Sequence, residues 1–167
     1  MKKILLISFL WLSVLSLSAC GGGDEPLNPE IPEQTDGNSN NGNNTENNTA
    51  MKINITVGGR TITATMEDNA AARDLSSRLP LEITLNDYNN TTEKIFYPDP
   101  ALKTEGVKRG CAPVPGDITI YAPWGNVAIF CKNWSYSNDL IKIGHIDGDG
   151  ISALTVSGDV KVKIERQ

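Results

Sequence analysis

Histidine is the scarcest functional residue type in this 167-residue chain, with a single copy, His145. One histidine excludes any metal site built on a histidine pair, and any catalytic His-Asp arrangement that needs a second imidazole. A glycine-rich phosphate loop and a Gly-x-Ser-x-Gly elbow are also missing, so no cofactor or metal is expected. Cysteine is limited to three residues, with no Cys-x-x-Cys pair. Basic residues are absent between Gly21 and Ala50, where six acids stand. With Lys2 and Lys3 set aside from the 15 Lys and Arg, residues 51–167 hold 13 basic and 14 acidic side chains. That near-neutral balance leaves no electrostatic footprint for nucleic acid or an anionic bilayer surface.

No apolar run is long enough for a comfortable membrane span. The run from Ile4 to Leu17 follows Lys2-Lys3 and ends in small residues, the pattern of a secretory leader. Its last residues, Leu17-Ser18-Ala19-Cys20, resemble the lipobox of bacterial lipoproteins. The resemblance implies a signal peptide at 1–19, cleavage before Cys20, and a lipid on its thiol that anchors the protein to a membrane. Gly21 follows the cysteine where an aspartate would retain the protein at the inner membrane, so an outer-membrane, extracytoplasmic address is expected. An ordinary leader with an incidental cysteine is the alternative. Residues 20–50 then form a Gly-, Pro- and Asn-rich linker with too little apolar surface to offset chain entropy, and disorder is expected there.

From residue 51 the pattern changes. Ile53, Ile55 and Val57 alternate with polar residues, as do Ile62, Ala64 and Met66, and Gly58-Gly59 supplies the turn of a hairpin between them. Asp68 or Asn69 can cap a helix over 70–79, whose Ala71, Ala72, Leu75 and Leu79 form one apolar stripe, with Arg73 and Arg78 on the solvated face. Strands follow over 81–87 and 93–97. A Pro- and Gly-rich passage at 98–115 is long enough to be the wall of a site. The central stretch, 116–134, predicts a hairpin with runs at 118–122 and 126–131, the second apolar on both parities and so covered on both faces. A strand over 140–146, a short helical turn at 151–154 and a last strand over 159–165 complete the domain. Asp147-Gly148-Asp149-Gly150 has only part of a calcium loop's donor set and reads as a turn. About eight strands and one main helix indicate an all-β barrel or sandwich.

Several segments together resemble the bacterial cyclophilin-like domains: Thr104-Glu105-Gly106, Arg109 to Pro113, Gly116-Asp117-Ile118, Tyr121 to Asn126, Ala128-Ile129-Phe130 and Leu140 to Gly144. The resemblance spans residues 51–167 and implies a closed eight-stranded barrel, with no chemistry attached. The arginine and phenylalanine motif of true cyclophilins has no counterpart here, and His145 sits in a strand. A divergent prolyl isomerase is therefore the alternative to a binding module, and a structural or interaction module of the cell envelope is a third reading.

Tyr97, Tyr121, Trp124, Trp134 and Tyr136 carry most of the aromatic surface, several beside turns. They are the candidate lining of a shallow cleft for a peptide or small molecule, with Arg109 as a cationic handle. The same rings can instead be barrel plugs and loop anchors. Cys111 and Cys131 can form a disulfide closing about 20 residues, worth on the order of 3 kcal/mol, or remain buried free thiols. A monomer is expected.

Overall fold

The computed structural model describes residues 50–167. The leader at 1–19, the lipid acceptor Cys20 and the linker up to Thr49 lie outside the described residues. The eight strands are β1 (Lys52–Val57), β2 (Arg60–Met66), β3 (Leu81–Tyr88), β4 (Glu93–Phe96), β5 (Asp117–Tyr121), β6 (Asn126–Phe130), β7 (Leu140–Ile146) and β8 (Val160–Arg166). They close into a barrel in the order β1-β2-β7-β5-β6-β4-β3-β8. Every ladder is antiparallel, and the first strand pairs with the last from Ile53↔Arg166 to Val57↔Val162. Closure leaves no strand edge exposed.

Alternation sorts the strands into an inner and an outer face. Ile53, Ile55, Ile62, Ala64, Ile118, Ile120, Val127, Ile129, Ile141 and Ile143 fill the interior. The helix α1 (Ala70–Ser77) closes one end, burying Ala71, Ala72 and Leu75. Asn69 is its cap: its side chain accepts from Ala72 N–H at 2.9 Å and donates to the Lys142 carbonyl at 3.0 Å. The helix ends two residues before the stripe does, because the Arg78 and Leu79 amides turn back to the Leu75 and Ser76 carbonyls. Arg78 is not on a solvated face as expected. Its guanidinium holds Asp74 at 2.8 Å and reaches the carbonyls of Pro100 and Ala101, fixing the start of the long loop to the helix.

β6 is buried at all five positions. Val127 and Ile129 face the interior, whereas Ala128 and Phe130 belong to a second apolar cluster with Ile95 and Leu140. This cluster lies on the outside of the barrel, and it is what covers the second face of the central strand.

β7 carries a bulge opposite Ile118 and Thr119, with Gly144 and then Lys142 as their partners. The skipped residue, Ile143, reverses the alternation: Ile141 and Ile143 itself point inward, and beyond the bulge the inward position falls to Ile146. Lys142 and His145, three apart, therefore share the outer face, and both reach Asp117 Oδ1, at 2.7 and 2.8 Å. Asp117 Oδ2 accepts from the Val114 amide at 3.1 Å. Burial alone would raise this carboxyl, but the bonds from Lys142, Val114 and His145 outweigh it and hold the group below the usual carboxylate range. The imidazole lies so close to Gly116 that a Cβ there would stand 3.0 Å from it, and the φ of +96° at this residue independently favours glycine.

Lys94 is a buried charge on the inner face of β4. Its ammonium donates to the carbonyls of Val156 and Gly158 at 2.5 and 2.7 Å and lies 3.2 Å from Asp87, its partner across the β3–β4 ladder. It ties the segment before β8 to the barrel wall. Asp147, in the turn after β7, is likewise engaged within the fold, by Lys52 at 2.6 Å and Thr65 at 2.7 Å.

Candidate functional site

The outer apolar cluster is the floor of a pocket of about 270 Å³. Its construction follows from the registers. Tyr88 of β3 pairs with Glu93 of β4, and Glu93 pairs with Phe130 of β6, so one row across the sheet reads Tyr-Glu-Phe on the outer face. The next outer row places Ile95 against Ala128. Tyr121 and Asn126 pair at the mouth of the β5–β6 turn, and Leu140 stands beside Tyr121 on β7.

Trp124 stands above this floor on the turn. Pro123 and Gly125 flank it, and the amides of Trp124 and Gly125 both return to the Tyr121 carbonyl. Its ring meets Tyr88 edge-on at 5.9 Å and Tyr121 edge-on at 5.3 Å, so it is held from two sides while 51% of its surface stays open. Trp134, 46% exposed, also lines the pocket, and its amide donates to the Pro113 carbonyl at 2.9 Å.

The Glu93 carboxyl and the Asn126 side-chain oxygen have no protein partner among the described residues. Burial alone pushes the Glu93 carboxyl above its ordinary range, with no bond or charge acting to lower it. Asn126 is 2% exposed, and its side-chain oxygen is buried without a hydrogen bond.

Of the aromatic residues singled out from sequence, Tyr121, Trp124 and Trp134 line this pocket, while Tyr97 and Tyr136 do not. Tyr97 is an exposed residue just past β4. Tyr136, 63% exposed, lies across the loop with its hydroxyl where a side chain on Gly110 would be. Arg109 is exposed and outside the lining, so it offers no handle to this pocket. Nor is the 98–115 passage a wall of the pocket. It is zipped to the 134–140 segment instead, through Gly110 to the Leu140 carbonyl at 2.8 Å and the Cys111↔Ser137 bridge, and that segment supplies the wall.

Tyr88, Glu93, Asn126 and Phe130 also line the site, and no local sequence motif marks them as doing so. The strand parity of Phe130 was readable, but the row that joins it to Glu93 and Tyr88 needs the barrel register. Cys111 and Cys131 are free thiols. They contact different clusters, Cys111 the outer and Cys131 the inner, and burial pushes both thiols up, away from a reactive thiolate.

A search of curated proteins finds no match to this chain. The solution structure of a hypothetical protein from Archaeoglobus fulgidus superposes with a TM-score of 0.55 at 18% identity, over 71% of this chain and 95% of that one. That likeness is one of fold. Residues 55–165 match the cyclophilin-like family, which takes in the barrel from β1 to β8. On the strength of that match and of the closed barrel with its single helix, the chain belongs to the cyclophilin-like family.

Proposed function

We propose that this protein is a lipid-anchored, extracytoplasmic binding module that takes a small molecule, or a single side chain of a peptide, in the outer-face pocket. The observation that carries the reading is Trp124, a large ring fixed by two edge-on neighbours yet half open over an apolar floor. A ring serving only as a plug would bury that surface. At about 270 Å³ the pocket is just below the ~300–1,000 Å³ of sites for drug-sized ligands, which favours one head group over an extended segment. The address rests on the lipobox resemblance, with the linker after Cys20 as a tether.

Prolyl isomerisation is the less favoured reading. It requires donors fixed against the twisted amide. The ionisable acid here is Glu93, and Arg109 is elsewhere. A thermal-shift screen of the full chain against metabolites and peptides tests the binding reading. Stabilising compounds should lose their effect in Trp124→Ala, and hits indifferent to that change would refute the pocket as the site. Cys20→Ala should move the protein from the membrane pellet to the soluble fraction, and an unchanged pellet would refute the anchor.

A further inference from the structure

Glu93 is the one acid in the pocket lining, which holds no lysine, arginine or histidine and otherwise offers neutral indole, phenol, amide and hydroxyl groups. The Glu93 carboxyl sits between Tyr88 and Phe130 in one row, and Asn126 Oδ1 is buried in the same wall without a donor. The indole rings of Trp124 and Trp134 are half-exposed in its lining. The negative faces of such rings attract cations, most strongly where water is displaced. A half-buried carboxylate without a counter-ion is disfavoured, and a fully buried acceptor without a donor is costly. A positively charged ligand with N–H groups or apolar substituents relieves both and uses the rings as well. An anion would meet Glu93 at close range, and a purely apolar ligand would leave both acceptors unpaired.

The lysines and arginines of the domain are occupied elsewhere or absent from the lining. Lys94, next to Glu93 in sequence, points to the other face of β4 and is held by Val156, Gly158 and Asp87. Lys142 is committed to Asp117. The pocket's other titratable lining groups are the phenols of Tyr88 and Tyr121. No cation of the protein neutralises Glu93 among the described residues, so the counter-charge is left for a ligand to bring.

We propose that the outer-face pocket is a site for an organic cation, an alkylammonium or guanidinium group, with Glu93 and Asn126 Oδ1 as its polar partners and Trp124 and Trp134 as its aromatic walls. The proposal rests on the binding-module reading and names its ligand class. The cation has two sources, a free small amine or a basic side chain of a protein.

The test is calorimetric titration of the full-length protein with choline and with its neutral carbon isostere, in which a quaternary carbon replaces the nitrogen. Choline should bind at least about tenfold more tightly than the isostere, a margin within the range of a desolvated cation over aromatic faces. Glu93→Gln should erase most of that margin while remaining folded by circular dichroism. Butylammonium and a blocked tripeptide with a central lysine distinguish the sources. Tighter binding of the tripeptide assigns the site to a protein side chain, and equal binding assigns it to free amines. Equal affinity for choline and isostere, lost in Trp124→Ala, would overturn the cation assignment and leave the pocket a binding site. Binding of neither choline nor the amines would also overturn it, and the library screen would decide the binding-module reading separately.

Discussion

Glu93 lies directly opposite Phe130 in the β4–β6 ladder, a carboxyl set against a phenylalanine on the covered outer face of the barrel. Such a pairing does not favour the fold. Burial raises the folded-state pKa of Glu93 above its unfolded value, near 4.3 in peptides. Its stabilising contribution is therefore complete below the unfolded value and is lost as pH rises through the folded one. Glu93→Gln should be more stable than the parent at neutral pH, by on the order of 1 kcal/mol, and the difference should vanish in acid. Denaturant midpoints of both proteins across that range are the check. A variant less stable at neutral pH would contradict the account, which holds that this residue is kept for a ligand at a cost in stability.

Asp117 behaves in the opposite sense. Its folded pKa lies below the peptide value of about 3.9, so its contribution is present above that value and fades as pH falls through the folded one. Asp117→Asn should lose about 2 kcal/mol at neutral pH, the scale of hydrogen bonds to a charged group, and show a flatter decline in acid than the parent. Parallel acid profiles for the two proteins would show that the Lys142 and His145 contacts do not matter.

Much of the barrel was legible in the sequence because half-buried strands declare themselves by period-two alternation. The hairpin through Gly58-Gly59 and the two-faced β6 are examples. The pocket was only partly legible, because its central row is assembled from three strands whose registers are set by closure. Tyr88 and Glu93 flank the Asn89-Asn90 turn in sequence, and nothing local announces that they face Phe130. The bulge in β7 is similarly silent, yet it is what puts Lys142 and His145 on one carboxylate. Arg109 is a cation in a long loop, but a loop zipped to the 134–140 segment does not bring this exposed side chain to the pocket.

Lys94→Met should be among the most destabilising single changes in the domain. It removes the donor to the Val156 and Gly158 carbonyls and the partner of Asp87. Breaking a buried ionic contact of this kind costs about 3 kcal/mol or more. Urea unfolding gives the value directly, and a loss well under 1 kcal/mol would mean that the segment before β8 is held by other contacts.

A protease-coupled assay on an Ala-Pro peptide should return the thermal background rate, since the barrier of about 18–20 kcal/mol is lowered only by fixed donors. A rate far above background that falls on Arg109→Ala would restore the isomerase reading.

The central claim is that the outer-face pocket is where this domain binds, and site-resolved NMR tests it most directly. The chain has three tryptophans, of which Trp124 and Trp134 are in the barrel domain, and their indole N–H resonances report from the pocket lining. Titrating the isotope-labelled full chain with a panel of cationic, neutral and anionic small molecules should shift both indole signals saturably, together with the Glu93 and Asn126 amides. Saturable shifts confined to another face, such as the surface between Arg73 and Arg166, with the two indoles unmoved, would contradict it.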